Sequence, residues 1–335
     1  KGPKKGGKKA AKKAKTKPKK PTGAGLAKIV GEGDTPFFDL CNIAPFLRYF
    51  HEKAEEYALD APAEELVDDF VLLMSLLGND FLPKVPAFDV HSGGVDAVAK
   101  TYFAFRKRGK PAIVRDGAVD GAALRTFLRS LQSHEDRLAR AFAGQRKFDT
   151  NSCRYDISDS NTLVRIGAEG WKARYMATHF PKDGDAARAA HDFVAGMQWV
   201  FRYYTGRPCS LRWGYTHHFA PVIATLIAET PDSIACEAAN TPPLTPLQQL
   251  VLILPPQSAD LLPEPLRPVL TLPCIKSVSP HRARIDLNGE PVSYKGIVLV
   301  DFPPVDEVVA EVAKITATLG AVDAWLDKPL DPVLL

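Results

Sequence analysis

The chain has 335 residues, of which 45% are hydrophobic and 24% are charged, a composition typical of a globular protein whose core needs no disulfide bonds. No uncharged apolar run approaches the roughly 18 residues that a membrane span needs, so we expect no membrane partner. Five scattered cysteines without a C-x-x-C pair indicate reduced thiols rather than a zinc site. The net charge of +4 has a local origin, because residues 1–20 contain eleven lysines and the remaining residues carry a net charge of −7.

The first predicted region, residues 1–35, is a disordered lysine-rich tail or linker, since its Lys, Gly and Pro residues cannot bury enough apolar surface to fold. The tail could contact phosphates without sequence specificity, or it could be a solvated linker or targeting arm, and the sequence favours neither. The lysines that would make phosphate contacts are Lys4, Lys5, Lys8, Lys9, Lys12 and Lys13. No apolar segment follows the lysines, so this stretch is not expected to be a signal peptide. Because the sequence starts with Lys1 rather than Met, we expect a processed, truncated or partial chain.

The predicted elements that follow are mainly helices. Residues 63–77 form the strongest of them, because apolar residues fill two neighbouring stripes and predict a buried helix. Gly78 is suited to end that helix and to begin a tight turn, Gly78-Asn79-Asp80. A short extended segment and turn are predicted over residues 113–119. The other helices are predicted over residues 45–57, 94–107, 121–143, 170–179, 186–204, 242–254 and 305–319.

Two stretches are predicted to lack regular secondary structure. Residues 144–165 are polar and indicate a surface insertion, and the proline-rich residues 255–280 indicate an extended segment or loop. Residues 284–300 alternate weakly between apolar and polar side chains and contain Asn288-Gly289, a typical hairpin turn. The sequence contains no internal repeat.

One acidic residue, Asp80, is a candidate for metal binding. Asp80 lies in a tight turn at the end of a buried helix, where a rigid backbone could direct its carboxylate into a cleft. The residues alone favour the alternative that Asp80 caps the turn. For Asp68 and Asp69, on the preceding helix, exposure or a salt bridge is favoured over metal ligation.

The stretch from Tyr203 to Phe219 mixes aromatic residues with Arg202, Arg207 and Arg212, a composition typical of a surface on which single-stranded nucleic acid stacks. Trp213 is the best candidate for a base contact, although packing in the core is equally supported. We expect Trp199, Tyr203 and Phe219 to lie in the core. The neighbours His217 and His218 point in different directions, which favours packing or hydrogen bonding over a metal pair. Lys172 and Arg174 are predicted to lie on a solvated charged face.

Several motifs in order resemble the XRN family of 5′→3′ exoribonucleases, and the similarity extends from about Phe37 to Phe302. Any one of them is moderately specific, whereas their order is strongly specific. The motifs are DDFVLLMSLLGNDFLP at Asp68–Pro83, WKARY at Trp171–Tyr175, GMQWVFRYY at Gly196–Tyr204, SLRWGYTHHFAP at Ser210–Pro221, PLQQL at Pro246–Leu250 and DLNG at Asp286–Gly289.

The resemblance implies a helix-rich α/β fold: the C-terminal part of a PIN/flap-endonuclease-like nuclease core, with a helical extension and a small C-terminal β-hairpin. The core portion would occupy residues 36–145, a surface insertion residues 146–170, and a helical, aromatic RNA channel residues 171–325. It also implies hydrolysis of 5′-monophosphorylated single-stranded RNA with Mg²⁺ or Mn²⁺, Asp80 being a metal ligand and catalytic residue. The RNA contacts would be Trp213, Arg212, Tyr215, His217 and His218.

The resemblance further implies a missing partner. The family's first conserved region supplies most of the metal-binding carboxylates and should precede Phe37, so we expect it upstream on the same polypeptide or on a separate chain. The sequence departs from the family at Leu211, where a tryptophan is usual, and at Lys84, where histidine is usual. Leu211 and the absent carboxylates leave open an inactive relative that binds RNA or acts as a scaffold in a large ribonucleoprotein with other proteins, whereas the retained Asp80 fits the nuclease. Either version implies an intracellular location, in nucleus, cytoplasm or organelle.

Overall fold

The computed structural model describes residues 26–29, 38–144, 156–235, 242–273, 275, 283–320 and 327. The chain divides into two compact units, Lys1–Glu52 and Lys53–Leu335. In the first unit, β1 (Leu26–Ile29) pairs antiparallel with β2 (Phe38–Cys41). The prediction of disorder over residues 1–35 is therefore wrong for residues 26–29. The predicted phosphate contacts lie outside the described residues: Lys4, Lys5, Lys8, Lys9, Lys12 and Lys13.

The second unit is rich in helices, as predicted. α1 (Ala44–Tyr57) crosses from the first unit into the second. α2 (Ala63–Met74) continues into a 3₁₀ turn at Ser75–Leu77. The later helices are α3 (Gly94–Lys107), α4 (Gly121–Leu131), α5 (Glu135–Ala143), α6 (Asn161–Val164), α7 (Trp171–His179), α8 (Asp185–Tyr204), α9 (Ile223–Glu229), α10 (Pro246–Ile253) and α11 (Val305–Thr316).

The helix predicted over residues 121–143 is interrupted. A 3₁₀ turn at Gln132–His134 separates α4 from α5. The hydroxyls of Ser130 and Ser133 donate to the carbonyls of Thr126 and Ser130, at 3.3 and 3.0 Å. Such side-chain bonds compete with the helical backbone pattern and bend helices, which explains why hydrophobic spacing alone missed the break.

The main core of the second unit forms where α2 packs on α8, α3 on α4, and α9 on both α4 and α8. Its fully buried side chains include Leu66, Leu72, Phe127, Phe193 and Phe201. Burial of each such side chain stabilises the fold by about 1.5–3 kcal/mol. No helix in the described ranges is both long and apolar enough to cross a bilayer.

A smaller hydrophobic cluster joins α10, α11 and the proline-rich segment between them. The prediction of an extended segment or loop over residues 255–280 is wrong for its described part, because 3₁₀ helices form at Pro256–Leu261 and Glu264–Thr271. A proline in the first helical turn costs no hydrogen bond and presets the required φ, so proline here begins a helix. Leu266, Val269 and Leu270 are buried against the cluster.

Three small sheets complete the α/β fold in the described residues. β3 (Val114–Arg115) and β4 (Ala118–Val119) pair antiparallel on either side of the turn that was predicted within residues 113–119. β5 (Asp156–Ser158) is parallel to β6 (Arg284–Asp286), which pairs antiparallel with β7 (Ile297–Leu299). Irregular structure was therefore a wrong prediction for residues 156–164, which contain β5 and α6. The partner of β5 lies far away in sequence, so no local pattern could reveal it.

The turn at Asn288-Gly289 exists but does not directly join two strands. Asn288 and Gly289 have φ values of 44° and 85°, and the Glu290 N–H donates to the Leu287 carbonyl at 2.7 Å. The connection between β6 and β7 covers residues 287–296, so the predicted small C-terminal hairpin is instead part of a three-stranded sheet. The proposed division at residues 36–145, 146–170 and 171–325 stays a prediction.

Candidate functional site

A hydrogen-bonded turn follows α2 and its 3₁₀ extension. The Asn79 carboxamide oxygen accepts hydrogen bonds from the backbone N–H groups of Phe81 and Leu82, each at 2.9 Å, and the Asn79 N–H donates to the Leu82 carbonyl at 3.0 Å. Gly78 has a φ of 86°, and a Cβ there would lie 2.9 Å from the Lys84 backbone nitrogen. The turn therefore requires glycine at position 78 and asparagine at position 79. The hydrogen bonds from Phe81 and Leu82 to Asn79 enclose Asp80 and hold its backbone in a defined place.

Asp80 is exposed, and its carboxylate makes no hydrogen bond or ion pair with any described residue. The pKa of the neighbouring Tyr204 hydroxyl is raised, mainly by burial and secondly by the negative charge of Asp80. An unpaired carboxylate on a rigid turn is suited to bind a divalent cation. No group of three or more His, Cys, Asp or Glu side chains in the described ranges could hold a metal ion, so these residues contribute one candidate ligand here.

Beside Asp80 lies a row of aromatic rings that we call the ring stack. It consists of Trp213, Trp199 and Tyr203, with the edge of Phe81 against it. The centroids of Trp213 and Trp199 are 5.0 Å apart and those of Trp199 and Tyr203 5.1 Å apart, in stacked geometry. Phe81 meets Trp199 at 4.9 Å and Tyr203 at 5.1 Å, edge to face.

The ring stack has a buried middle ring, Trp199, and an open end, Tyr203. Trp199 is only 4% exposed and donates its indole N–H to the Ser210 carbonyl at 2.6 Å. Trp213 is half-buried, so it packs in the core and still has an accessible surface. Tyr203 is 44% exposed, which makes its predicted core position wrong, and the adjacent Tyr204 is 50% exposed. The stack therefore presents tyrosine rings to solvent beside the Asp80 turn.

Gly196 in α8 permits this arrangement. A Cβ at Gly196 would lie 2.6 Å from the Trp213 ring and 2.7 Å from a methyl group of Leu82. The missing side chain thus lets the Trp213 ring and the segment after Asp80 pack against the same point of α8, which brings the turn and the ring stack together.

We expect Gly196→Ala to destabilise the protein by about 1–3 kcal/mol, because an added methyl group in a packed site forces neighbours to move. The displaced Trp213 should also change the near-ultraviolet circular dichroism of the Trp199–Trp213 pair. Urea unfolding and circular dichroism measure the two effects. Gly144→Ala is the matched control, because a Cβ there meets atoms no closer than 3.6 Å. Equal behaviour of the two variants would contradict the packing role of Gly196.

The other predicted RNA contacts are engaged within the protein to different degrees. Tyr215 is 7% exposed and its hydroxyl donates to the Phe219 carbonyl at 2.9 Å, so it lies in the core, and its RNA contact stays a prediction. The Nε2 atoms of His217 and His218 lie 2.8 Å from an Asp192 carboxylate oxygen and the Val300 carbonyl oxygen, consistent with the predicted hydrogen bonding. Arg212 lies 3.9 Å from Asp306 and is half-buried.

The predicted solvated face at Lys172 and Arg174 is wrong. The Lys172 ammonium lies 3.0 Å from carboxylate oxygens of both Glu135 and Asp136, and Glu135 is fully buried. Arg174 donates to the carbonyl oxygens of Val164 and Glu169, at 2.9 and 2.8 Å. Both cations therefore join α7 to neighbouring segments, and sequence patterning could not show this because the partners lie on other elements.

Lys84, which replaces the histidine usual in the resembling family, joins the candidate site to the loop between β6 and β7. Its ammonium pairs with Glu290 and lies 3.4 Å from Asp89. The ammonium also lies 4.4 Å from the centre of the Phe142 ring. Lys84, Asp89 and Glu290 border a cavity of about 450 Å³ that also reaches Gly78 and Asn79. Lys84 thus stabilises the segment that follows the Asp80 turn.

His179 is a half-buried histidine stacked on Phe219, with ring centroids 3.8 Å apart. Burial, opposed by the charge of Asp286, lowers the pKa of His179 to about 4 from 6.5. A lowered pKa means that the folded protein prefers neutral His179. Its stability contribution is therefore present above pH 6.5 and is lost as the pH falls from 6.5 towards 4.

We expect the free energy of unfolding to decrease by about 2–3 kcal/mol over this pH range because of His179, a value that allows for its partial exposure. His179→Phe keeps a ring beside Phe219 and should flatten the decrease, as measured by urea unfolding at several pH values. The control is His191→Gln, whose side chain is 64% exposed. If His179→Phe and His191→Gln gave the same pH slope, His179 would not be the group responsible.

Comparison with known proteins tests the family resemblance of the sequence independently of the structure. The sequence pattern of the family described as the Xrn1 helical domain matches residues 60–155 and 146–325. The 5'-3' exoribonuclease 2 homolog of Drosophila melanogaster is 24% identical over an aligned length of 307 positions, and the match covers 73% of this chain and 34% of that protein.

Two further relatives carry similar names. The 5'-3' exoribonuclease 1 of Saccharomyces cerevisiae is 32% identical over 159 residues, or 45% of this chain and 10% of that protein. The 5'-3' exoribonuclease 2 of Arabidopsis thaliana is 20% identical over an aligned length of 388 positions, and the match covers 84% of this chain and 38% of that protein. The chain thus spans about a third of the fly and plant proteins, and less of the yeast protein.

Proposed function

Because this chain belongs to the XRN family, as its match to the Xrn1 helical domain establishes, we propose that it forms part of a processive 5′→3′ exoribonuclease. The substrate would be single-stranded RNA with a 5′-monophosphate. The observation that carries the proposal is the juxtaposition of the unpaired Asp80 carboxylate with the open end of the ring stack. One group is suited to metal binding and the other to bases, which are the two requirements of a nuclease acting on single strands.

Asp80 would be one ligand of a site for Mg²⁺ or Mn²⁺, both of which prefer oxygen ligands. When bound, a pair of such ions supplies stabilisation of charge on the phosphate and activation of water. The remaining carboxylates would come from the first conserved region, on the same polypeptide or on a separate chain. That region would also provide the central sheet of a PIN/flap-endonuclease-like core, to which α2 and the Asp80 turn would be joined.

The ring stack would hold the bases. Tyr203 is exposed and backed by Trp199, so a base could extend the stack without disturbing the core. Stacking of this kind is worth about 1–3 kcal/mol per base and tolerates every sequence, as a processive degradative enzyme requires. Leu211 lies on the segment between α8 and α9, where its side chain is 54% exposed and offers an apolar surface. The XRN family usually has tryptophan at this position.

The test uses the full-length protein purified from its source, with single-stranded RNA labelled at the 3′ end. We expect RNA with a 5′-monophosphate to be shortened from its 5′ end in Mg²⁺, and to persist when EDTA removes the metal. RNA with a 5′-hydroxyl should be degraded more slowly. Asp80→Ala is the site control and should abolish decay in Mg²⁺.

If the native protein binds RNA but never shortens it, the nuclease proposal fails. The chain would then be a catalytically inactive relative that binds RNA or acts as a scaffold in a ribonucleoprotein. If decay occurs but Asp80→Ala leaves its rate unchanged, the nuclease proposal stands and the assignment of Asp80 fails.

A further inference from the structure

A cleft of about 290 Å³ lies at the C-terminal end of α3, away from the ring stack. One wall is the segment from Ala58 to Ala61, and the other is the end of α3 with the turn that follows it. Four residues of the second wall line the cleft: Arg106, Lys107, Gly109 and Lys110. Together with the adjacent Arg108 we call this surface the basic cleft.

The basic cleft contains cations that have no acidic partner. Lys107, Arg108 and Lys110 are exposed, and no described carboxylate oxygen lies within 4.0 Å of their charged nitrogens. Most other cations named above are paired, as Lys84 and Lys172 are. Asp60 is the acidic residue that lines the cleft, and it too forms no ion pair among these residues. The cleft therefore has an excess of positive charge.

The cleft is held in shape by its fourth cation. Arg106 is bound by Glu65 and, at 3.3 Å, by the fully buried Asp69, so its guanidinium anchors the end of α3 to α2. Gly109, with a φ of 71°, reverses the chain directly after the helix. The Gly109 N–H donates to the Arg106 carbonyl at 2.9 Å. Lys107 and Lys110 thus line the same cleft from opposite sides of a fixed turn.

A helix C-terminus by itself favours cations, which explains the position of Arg106 and Lys107. It does not explain Lys110, which lies beyond the helix and lines the cleft from the other side of the turn. Several cations that lack an acidic partner, around a concave surface, form a site for a polyanion.

We propose that the basic cleft is an accessory site that binds phosphates of the RNA strand at a distance from the ring stack. The choice of RNA rather than an acidic peptide rests on the proposed function. The cleft is anchored beside Glu65 and Asp69 in α2, whereas Asp80 follows the C-terminal end of that helix. A strand that occupied both sites would pass along α2. Contacts with phosphates carry no sequence information, which suits an enzyme that must hold every RNA.

The test measures binding of a fluorescent single-stranded RNA to the full chain in EDTA, over a range of salt concentrations. We expect the triple variant Lys107→Ala/Arg108→Ala/Lys110→Ala to bind on the order of tenfold more weakly at low salt. The slope of log affinity against log salt should decrease by about 2, because each phosphate contact on single strands contributes roughly 0.7. The control removes equal charge from exposed, unpaired positions elsewhere: Arg129→Ala, Arg137→Ala and Lys182→Ala.

A second variant tests the cleft by gain of affinity. Asp60→Asn removes the opposing charge and should tighten RNA binding, an effect that a purely structural role of the cleft would not produce. Lys107 and Lys110 should also be protected by RNA from acetylation, whereas Lys182 and Lys314 should not. Every variant retains the lysine-rich N-terminal segment, so the differences report on the cleft.

Equal salt slopes for the cleft variant and its control would overturn the proposal. Equal protection by polyglutamate of the same charge would overturn it in favour of an acidic peptide. Either result is separate from the nuclease assay, because RNA decay by the full-length protein in Mg²⁺ does not require this cleft to be an RNA site. Conversely, loss of the nuclease proposal would leave the binding measurements interpretable.

Discussion

Changing Asp80 to asparagine is expected to slow 5′→3′ decay of RNA by the full-length protein at least about a hundredfold, the scale of removing one group that stabilises charge in a transition state. Asparagine keeps the shape of the side chain and removes its charge, and it also tolerates the turn conformation. Since the Asp80 carboxylate has no hydrogen bond or ion pair with the described residues, folding should be unaffected. RNA decay in Mg²⁺ gives the rate, and fluorescence anisotropy in EDTA gives RNA affinity.

The matched control is Asp183→Asn, because Asp183 is also exposed and unpaired within the described ranges but lies between α7 and α8. Asp183→Asn should retain the full rate. Thermal unfolding of both variants checks that neither change alters stability. A wild-type rate for Asp80→Asn, with unchanged RNA affinity, would show that Asp80 does not bind the catalytic metal. A lost rate accompanied by lost RNA affinity would assign Asp80 to RNA positioning instead.

The helices were predictable wherever hydrophobic spacing and local capping signals agree. α3 was predicted with the same ends that the structure has, and α8 differs by one residue at its start. Asp185 begins α8 because an acidic side chain in the first turn is favourable next to the helix dipole. In contrast, β5 depends on a strand more than a hundred residues away, and the break between α4 and α5 depends on serine side chains.

The candidate site also has one part that local sequence signals predict and another part that depends on tertiary packing. The Asp80 turn could be predicted, because Gly78 and Asn79 are local signals and the surrounding motif resembles that of a known family. The sequence did not predict that Phe81 and Tyr204 belong to the candidate site, because the packing of α2 on α8 determines which rings they contact. Aromatic density around Trp213 was a signal for a stacking surface, but it could not distinguish the exposed Tyr203 from the buried Tyr215.

Asp69 is a buried acidic residue with several hydrogen-bond donors around its carboxylate. Asp69 is fully buried. Its Oδ1 atom accepts hydrogen bonds from the backbone N–H groups of Ile113 and Val114, at 2.9 and 2.7 Å. The Tyr102 hydroxyl donates to it at 2.7 Å, and Arg106 lies at 3.3 Å. Burial raises the pKa of Asp69, and the backbone donors, Tyr102 and Arg106 oppose that rise. One carboxylate thus joins α2, α3 and β3.

We expect Asp69→Ala to reduce the free energy of unfolding by about 3–5 kcal/mol, the scale of removing one partner from a buried ion pair. The truncation leaves two backbone N–H groups and the Tyr102 hydroxyl without an acceptor, and each unsatisfied buried group costs about 1–3 kcal/mol. Urea unfolding of the full chain measures the loss. Asp68→Ala is the control, because Asp68 is half-buried and should change stability by less than about 1 kcal/mol. If the two variants were equally stable, Asp69 would not hold the three elements together. Since Arg106 anchors the basic cleft through Asp69, the same variant should also weaken RNA binding at that cleft.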